Sequence, residues 1–273
     1  MKRTIFDFHA HVFSDELAER ALCSLLKDPG ERERARTTCG ARADMTQSYL
    51  RSLGCVGACA MNIATKAGQQ TVINDWAAHT LNRDFYTPFG TVYVNAPDCI
   101  EELRRVKALG LPGIKLHPSY QHFDMREDAF FRVCEEIRAL DLLLLVHCGE
   151  ERGRPGVIPG HPRDLMEVAR ALPGLKLVIA HFGCQRRWDI AQEYVIGQPV
   201  YIDTSHTLGM LSKKTAEQMI LAHDPDKILY GSDTPLLDAG QMIQFIESLS
   251  IPEPLKDKIF YHNAMRLLGK LDK

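Results

Sequence analysis

Asp7, His9 and His11 carry the first sign of chemistry, in the run Phe6-Asp7-Phe8-His9-Ala10-His11-Val12-Phe13. Read as a β-strand, this run sends successive side chains to opposite faces. Asp7, His9 and His11 then share one face, and Phe6, Phe8, Ala10 and Val12 the other. Two imidazoles so spaced converge just beyond the strand, where they can hold a single ion; imidazole suits zinc and other late divalent metals. An edge strand carrying two solvated histidines is the competing reading. What separates the two is whether other strand ends supply further ligands.

The elements that must position such ligands are legible as apolar runs. After the opening strand, strands are predicted over 56–63, 85–94, 113–118, 142–149, 175–183, 200–205 and 227–235. Helical spacing or capping marks 15–22 (with Ser14 as its cap), 44–54, 69–82, 98–110, 127–140, 162–172, 213–223, 239–250 and 254–269. The charged piece 29–43 reads either as a flap over a site or as a solvated loop. Strands that are apolar on both faces and alternate with helices fit a parallel sheet covered by helices. Eight such units in 273 residues are what a (β/α)₈ TIM barrel requires, here as one domain over 1–273 with a longer insertion after the first strand. An open doubly wound sheet would carry a Gly-rich phosphate loop, and neither GxGxxG nor a Walker-type loop occurs.

A barrel makes position informative, because its active site lies at the C-terminal ends of the strands. The polar residues there are His9 and His11 on the first strand, Lys115 and His117 on the fourth, and His147 on the fifth. His181 ends the sixth, Asp203 and Ser205 the seventh, and Asp233 the eighth. Burying this cluster without a partner ion would be costly, since each polar group needs a bond. Arg186 and Arg187 after the sixth strand and His206 after the seventh are positioned to recognise an anionic substrate, or are simply solvated. His161 starts a helix, and His79, His122, His223 and His262 are read as structural.

Composition narrows the function classes. With 33 Lys+Arg against 35 Asp+Glu the chain is nearly neutral, which gives no electrostatic case for nucleic acid or an anionic membrane surface. No apolar run approaches the ~18 residues of a membrane helix, and Asp7, His9 and His11 interrupt any signal-peptide core. The eight cysteines lack paired CxxC spacing, which points to reduced thiols and a cytoplasmic protein.

Asp7-x-His9-x-His11, Gly113-Ile114-Lys115-Leu116-His117-Pro118, Val146-His147, Ala180-His181-Phe182-Gly183 and Gly231-Ser232-Asp233-Thr234-Pro235 together resemble the amidohydrolase superfamily. They are most similar to its amidohydrolase 2 branch of metal-dependent barrel hydrolases and decarboxylases. The closing Asn263-Ala264-Met265-Arg266-Leu267-Leu268-Gly269 extends the resemblance over the whole chain. The resemblance implies that His9, His11, His147 and Asp233 ligate one divalent ion, with zinc the expected metal, around a metal-activated water. Asp233 would serve as general base and then acid, and His181 as an oxyanion stabiliser or a partner of that water. Asp7 would orient a ligand or pair with a buried cation. Lys115 would bind a substrate carboxylate as a free amine, or bridge a second ion if carbamylated; His117 would contact substrate. The expected activity is hydrolysis of an ester, lactone or amide of a small molecule, with non-oxidative decarboxylation of a small unsaturated or aromatic acid as the alternative and a non-catalytic metal-binding scaffold behind both. A homodimer is the expected assembly, since barrels of this kind often pair.

Overall fold

A computed structural model describes residues 3–81, 83–150 and 156–270. All eight predicted strands form, each shorter than its apolar run: β1 (Ile5–Ala10), β2 (Cys55–Ala60), β3 (Tyr86–Pro88), β4 (Gly113–Leu116), β5 (Leu143–Val146), β6 (Lys176–Ile179), β7 (Tyr201–Asp203) and β8 (Ile228–Leu229). Every strand pairing is parallel, in the orders β1-β2-β3 and β4-β5-β6-β7-β8. Single bridges join the two sheets. Gly90 bridges Ile114 and takes the Lys115 N–H at 2.9 Å, while Ala10 bridges Thr234, whose carbonyl takes the His11 N–H at 2.7 Å. The eight strands thus follow one another around a TIM barrel whose two seams are single bridges instead of ladders.

The helices follow in chain order: α1 (Asp15–Leu25), α2 (Pro29–Thr38), α3 (Ala43–Leu53), α4 (Gln70–His79), α5 (Cys99–Ala108), α6 (Pro118–Gln121), α7 (Asp128–Ala139), α8 (Pro162–Ala171), α9 (Trp188–Tyr194), α10 (Lys213–Ala222), α11 (Ala239–Glu247), α12 (Glu253–Asp257) and α13 (Asn263–Leu267). The predicted helix 69–82 ends within the described residues at His79; its last position, Asn82, lies outside them. Local signals explain several ends. Gly54 stops α3 in the left-handed conformation at φ 94°, and His161 caps α8 by accepting the Arg163 N–H at 3.1 Å. Ser14 precedes α1 without a side-chain cap bond.

The charged piece 29–43 is mainly helical, not a loop. Asp28 accepts the Glu31 N–H at 2.8 Å and Pro29 occupies the first turn, a pairing that starts a helix despite few apolar residues. Ala35 joins Ala18, Leu22, Leu26 and Ala41 in a small core that also packs Phe13 and Leu236, so the insertion has its own apolar anchor beside the β8 loop.

The first strand departs from simple alternation. Asp7 pairs with Ala58 but Ala10 with Ala60, so β1 spends one more residue than β2 between the same rungs. This bulge turns the strand over. Phe6 and Phe8, expected on the face opposite the histidines, pack with Leu143, Leu145, Val178 and Leu229. Leu143 and Leu145 are the register partners of Gly113 and Lys115, so they share the face of Lys115, whose amine meets His9. Phe8 and His9 are therefore adjacent in sequence and both turned inward. Ala10 and Val12 pack outward in the larger core.

Candidate metal centre

His9 Nε2, His11 Nε2 and an Asp233 oxygen converge at the mouth of the barrel, all within 4.8 Å of one another and all on buried residues. His11 Nε2 lies 3.2 Å and His9 Nε2 3.5 Å from Asp233 Oδ1. The approach depends on Gly231, where a Cβ would stand 2.8 Å from His9 Cβ. It also depends on the turn at Asp233, in the loop after β8, where φ is 65° and the N–H donates to the His9 carbonyl at 2.8 Å.

The other side of each imidazole is held. His11 Nδ1 donates to the Met61 carbonyl at 2.9 Å, and His9 Nδ1 to Asp203 Oδ2 at 2.8 Å. Each ring therefore carries its hydrogen on Nδ1 and turns the Nε2 lone pair toward Asp233, the arrangement a metal-ligating histidine needs. Asp233 Oδ2 accepts from His206 Nδ1. Burial pushes the Asp233 carboxyl up, but the bond from His206 and its other close partners outweigh it and hold the group well below the usual carboxylate range. Burial likewise holds the His9, His147 and His181 imidazoles below their usual value, hence neutral and able to donate a lone pair. Two neutral imidazoles and an ionised carboxylate are a donor set that fits a divalent ion such as zinc.

The remaining predicted residues take distinct places. Lys115 is fully buried with Nζ 3.2 Å from His9 Nε2, and burial pushes its ammonium down to about 8. His147 falls outside the convergent trio; its Nδ1 lies 3.0 Å from His181 Nε2. Its ring stacks on His117 at 3.9 Å between centroids, and His117 also stacks on Tyr120 and accepts the Tyr120 N–H as the cap of α6. His206, predicted as a substrate contact, is engaged by Asp233. Arg186 stands exposed after β6, and Arg187 pairs with Asp189 at 2.7 Å.

Asp7 corrects its own expectation. Its carboxylate accepts the N–H groups of His9 at 3.1 Å and Ser232 at 3.0 Å and the Ser232 hydroxyl at 2.6 Å. Among the described residues it meets neither an imidazole nor a cation, because the bulge turns it away from the histidine face; it ties the backbones of β1 and the β8 loop together instead. Burial pushes this carboxyl up to about 7, against the Ser232 bond.

The ring acceptor is Asp203, a residue that sequence reading placed at a strand end without a role. It holds His9 Nδ1 and also accepts the N–H groups of His181 and Ser205, each at 3.0 Å. Its carboxyl stays well below the usual range: burial opposes ionisation, but the bonds it accepts from His9 and Ser205 prevail. Asp203 and Ser205 two apart at a strand end were the available signal.

The fold is shared with enzymes of known structure. A dihydroxybenzoic acid decarboxylase from Polaromonas sp. JS666, solved with manganese and the inhibitor 2-nitroresorcinol, superposes with a TM-score of 0.79 at 17% identity over 99% of this chain and 98% of that one. A 5-carboxyvanillate decarboxylase from Sphingomonas paucimobilis gives 0.69 at 18%, covering 98% and 99%. A probable 2-pyrone-4,6-dicarboxylic acid hydrolase from Acinetobacter baumannii, with citric acid bound, gives 0.65 at 16%, covering 98% and 100%. At these identities the likeness is one of fold. The sequence profile of the amidohydrolase family matches residues 6–270, and the chain belongs to that family, in its amidohydrolase 2 branch.

Proposed function

We propose that the chain is a divalent-metal-dependent hydrolase that cleaves a C–O or C–N bond in a small ester, lactone or amide. The observation that carries this reading is the convergence of His9 Nε2, His11 Nε2 and Asp233 Oδ1, with both Nδ1 atoms held from behind. His147 is the proposed fourth ligand and zinc the proposed ion; manganese, held by the Polaromonas relative, is the competing one. When bound, such an ion supplies Lewis acidity that polarises a carbonyl and makes a water nucleophilic near neutral pH.

The chain's own groups do the rest. Asp233, ionised and steadied by His206, accepts the nucleophile's proton and returns it to the leaving group. His181, engaged by Ser205 through Nδ1 and by His147 through Nε2, acts by orienting the His147 ring beside the reacting group. Lys115, a buried amine beside His9, engages an anionic group of the substrate.

One observation favours a second reading on the same ligands. The buried Lys115 amine suits a substrate carboxylate, and the Polaromonas and Sphingomonas relatives are named as decarboxylases of aromatic acids. Product analysis in ¹⁸O-labelled water over a panel of esters, lactones, amides and aromatic acids tests the choice. Label incorporated into a carboxyl product supports the hydrolase. Carbon dioxide released without label in the organic product overturns it in favour of decarboxylation.

A further inference from the structure

A buried chain of hydrogen bonds leads away from the metal trio across three strand ends. Asp203 Oδ2 meets His9 Nδ1 at 2.8 Å, and Asp203 Oδ1 meets the Ser205 hydroxyl. Ser205 Oγ lies 2.8 Å from His181 Nδ1 and 3.1 Å from His9 Nδ1. His181 Nε2 in turn lies 3.0 Å from His147 Nδ1. All five residues are buried.

The direction of each bond follows from which atoms own hydrogens. The Asp203 carboxylate has none, and its Oδ1 already accepts two backbone N–H groups. The single hydroxyl hydrogen of Ser205 therefore points to Asp203, because two oxygens in contact without it would repel. Ser205 Oγ then presents a lone pair to His181, so His181 Nδ1 carries the hydrogen. In the neutral ring His181 Nε2 is a lone pair, and the hydrogen of its contact with His147 must come from His147 Nδ1.

We propose that Asp203, acting through the Ser205 hydroxyl and His181, fixes His147 in the Nδ1–H tautomer and so keeps its Nε2 lone pair available for a metal. The same carboxylate sets His9 directly, so one residue on β7 selects the donor atoms of rings carried on β1 and after β5. Stacking of His147 on His117 adds a barrier to ring rotation. Asp203 and Ser205 are positioning residues in this proposal: they act through the rings of His9 and His181 and lie outside the His9, His11 and Asp233 trio, although Asp203 with His9 and His181 forms a second buried group of donor atoms. The inference rests on the proposed function only in taking His147 as a ligand.

Two-dimensional ¹⁵N–¹H spectra of the histidine side chains of the metal-free full chain at neutral pH provide the test, with zinc affinity by chelator competition as a second readout. The wild-type spectrum should show the Nδ1–H form at His9, His147 and His181. Ser205→Ala frees His181 Nδ1, so His181 and His147 should both gain the Nε2–H form and zinc affinity should fall about 10- to 100-fold. Ser205→Thr, which keeps the hydroxyl, should restore both readouts. An Nε2–H or doubly protonated His147 in the wild type overturns the proposal without need of any variant, as do unchanged tautomers in Ser205→Ala. Failure of the metal reading looks different: the tautomers follow the expected pattern while zinc does not bind at all.

Discussion

His9 and His11 occupy the same mouth but are governed by different neighbours, a backbone carbonyl for one and a buried carboxylate for the other. That difference matters for mutagenesis, because a carbonyl cannot be mutated away whereas Asp203 can. Asp233 has its own support in His206. His206→Ala should lower zinc affinity about 10- to 100-fold, since outer partners of ligating groups contribute on that scale; competition with a chromophoric chelator measures it, and unchanged affinity removes His206 from the account. His9, His11 and Asp233 were legible because each ends an apolar strand in a chain that must form a barrel. The roles of Asp203, Ser205 and His206 were not. They depend on left-handed turns at His181, His206 and Asp233, with φ of 62°, 55° and 65°, and alternation along a strand says nothing about side-chain direction beyond such a turn.

Among the elements, β1 shows why a strand's face is harder to read than its existence. The apolar run located it, but the bulge between Asp7 and Ala10 sends Phe8 and His9 to the same side and leaves Asp7 to clamp β1 to the β8 loop. One extra residue in a rung pairing leaves no mark on composition or spacing. The α2 helix was hidden for a different reason: few apolar residues fall on it, and its Asp28 cap and Pro29 are local signals within a charged stretch. Behind β3, Glu102 of α5 accepts from Asn74 and Arg105 at 2.6 and 2.8 Å, and Asn74 in turn bonds both the N–H and the carbonyl of Thr91 at 2.9 Å. Burial raises the Glu102 carboxyl, but the Arg105 and Asn74 bonds prevail and hold it below its ordinary value. A carboxyl lowered on folding contributes stability above its unfolded value, and that contribution is lost as pH falls through the folded one. Glu102→Gln should cost about 1–3 kcal/mol at pH 7, with the gap from wild type closing below about pH 4.3. Urea unfolding at several pH values checks this, and a gap independent of pH would contradict it.

At the scale of the whole molecule, the eight-strand count did most to make the sequence interpretable, because it gathers residues as distant as His9 and Asp233 at one end of a barrel. The arrangement explains why these residues are buried together and yet hydrogen-bonded: β1 and the β8 loop bring the trio, and β7 supplies its supporting carboxylate. No helix among the described residues is long and apolar enough to cross a membrane. His9, His11 and Asp233 are proposed to hold a divalent ion that the activity requires. Elemental analysis of the purified full chain, before and after zinc or manganese reconstitution and beside His9→Ala and Asp233→Asn, tests it most directly. About one ion per chain is expected in the wild type, since one set of imidazole and carboxylate donors holds one and leaves a position for water, with loss of that ion in both variants. A wild-type chain that stays metal-free after reconstitution, or variants that retain the ion in full, would contradict it.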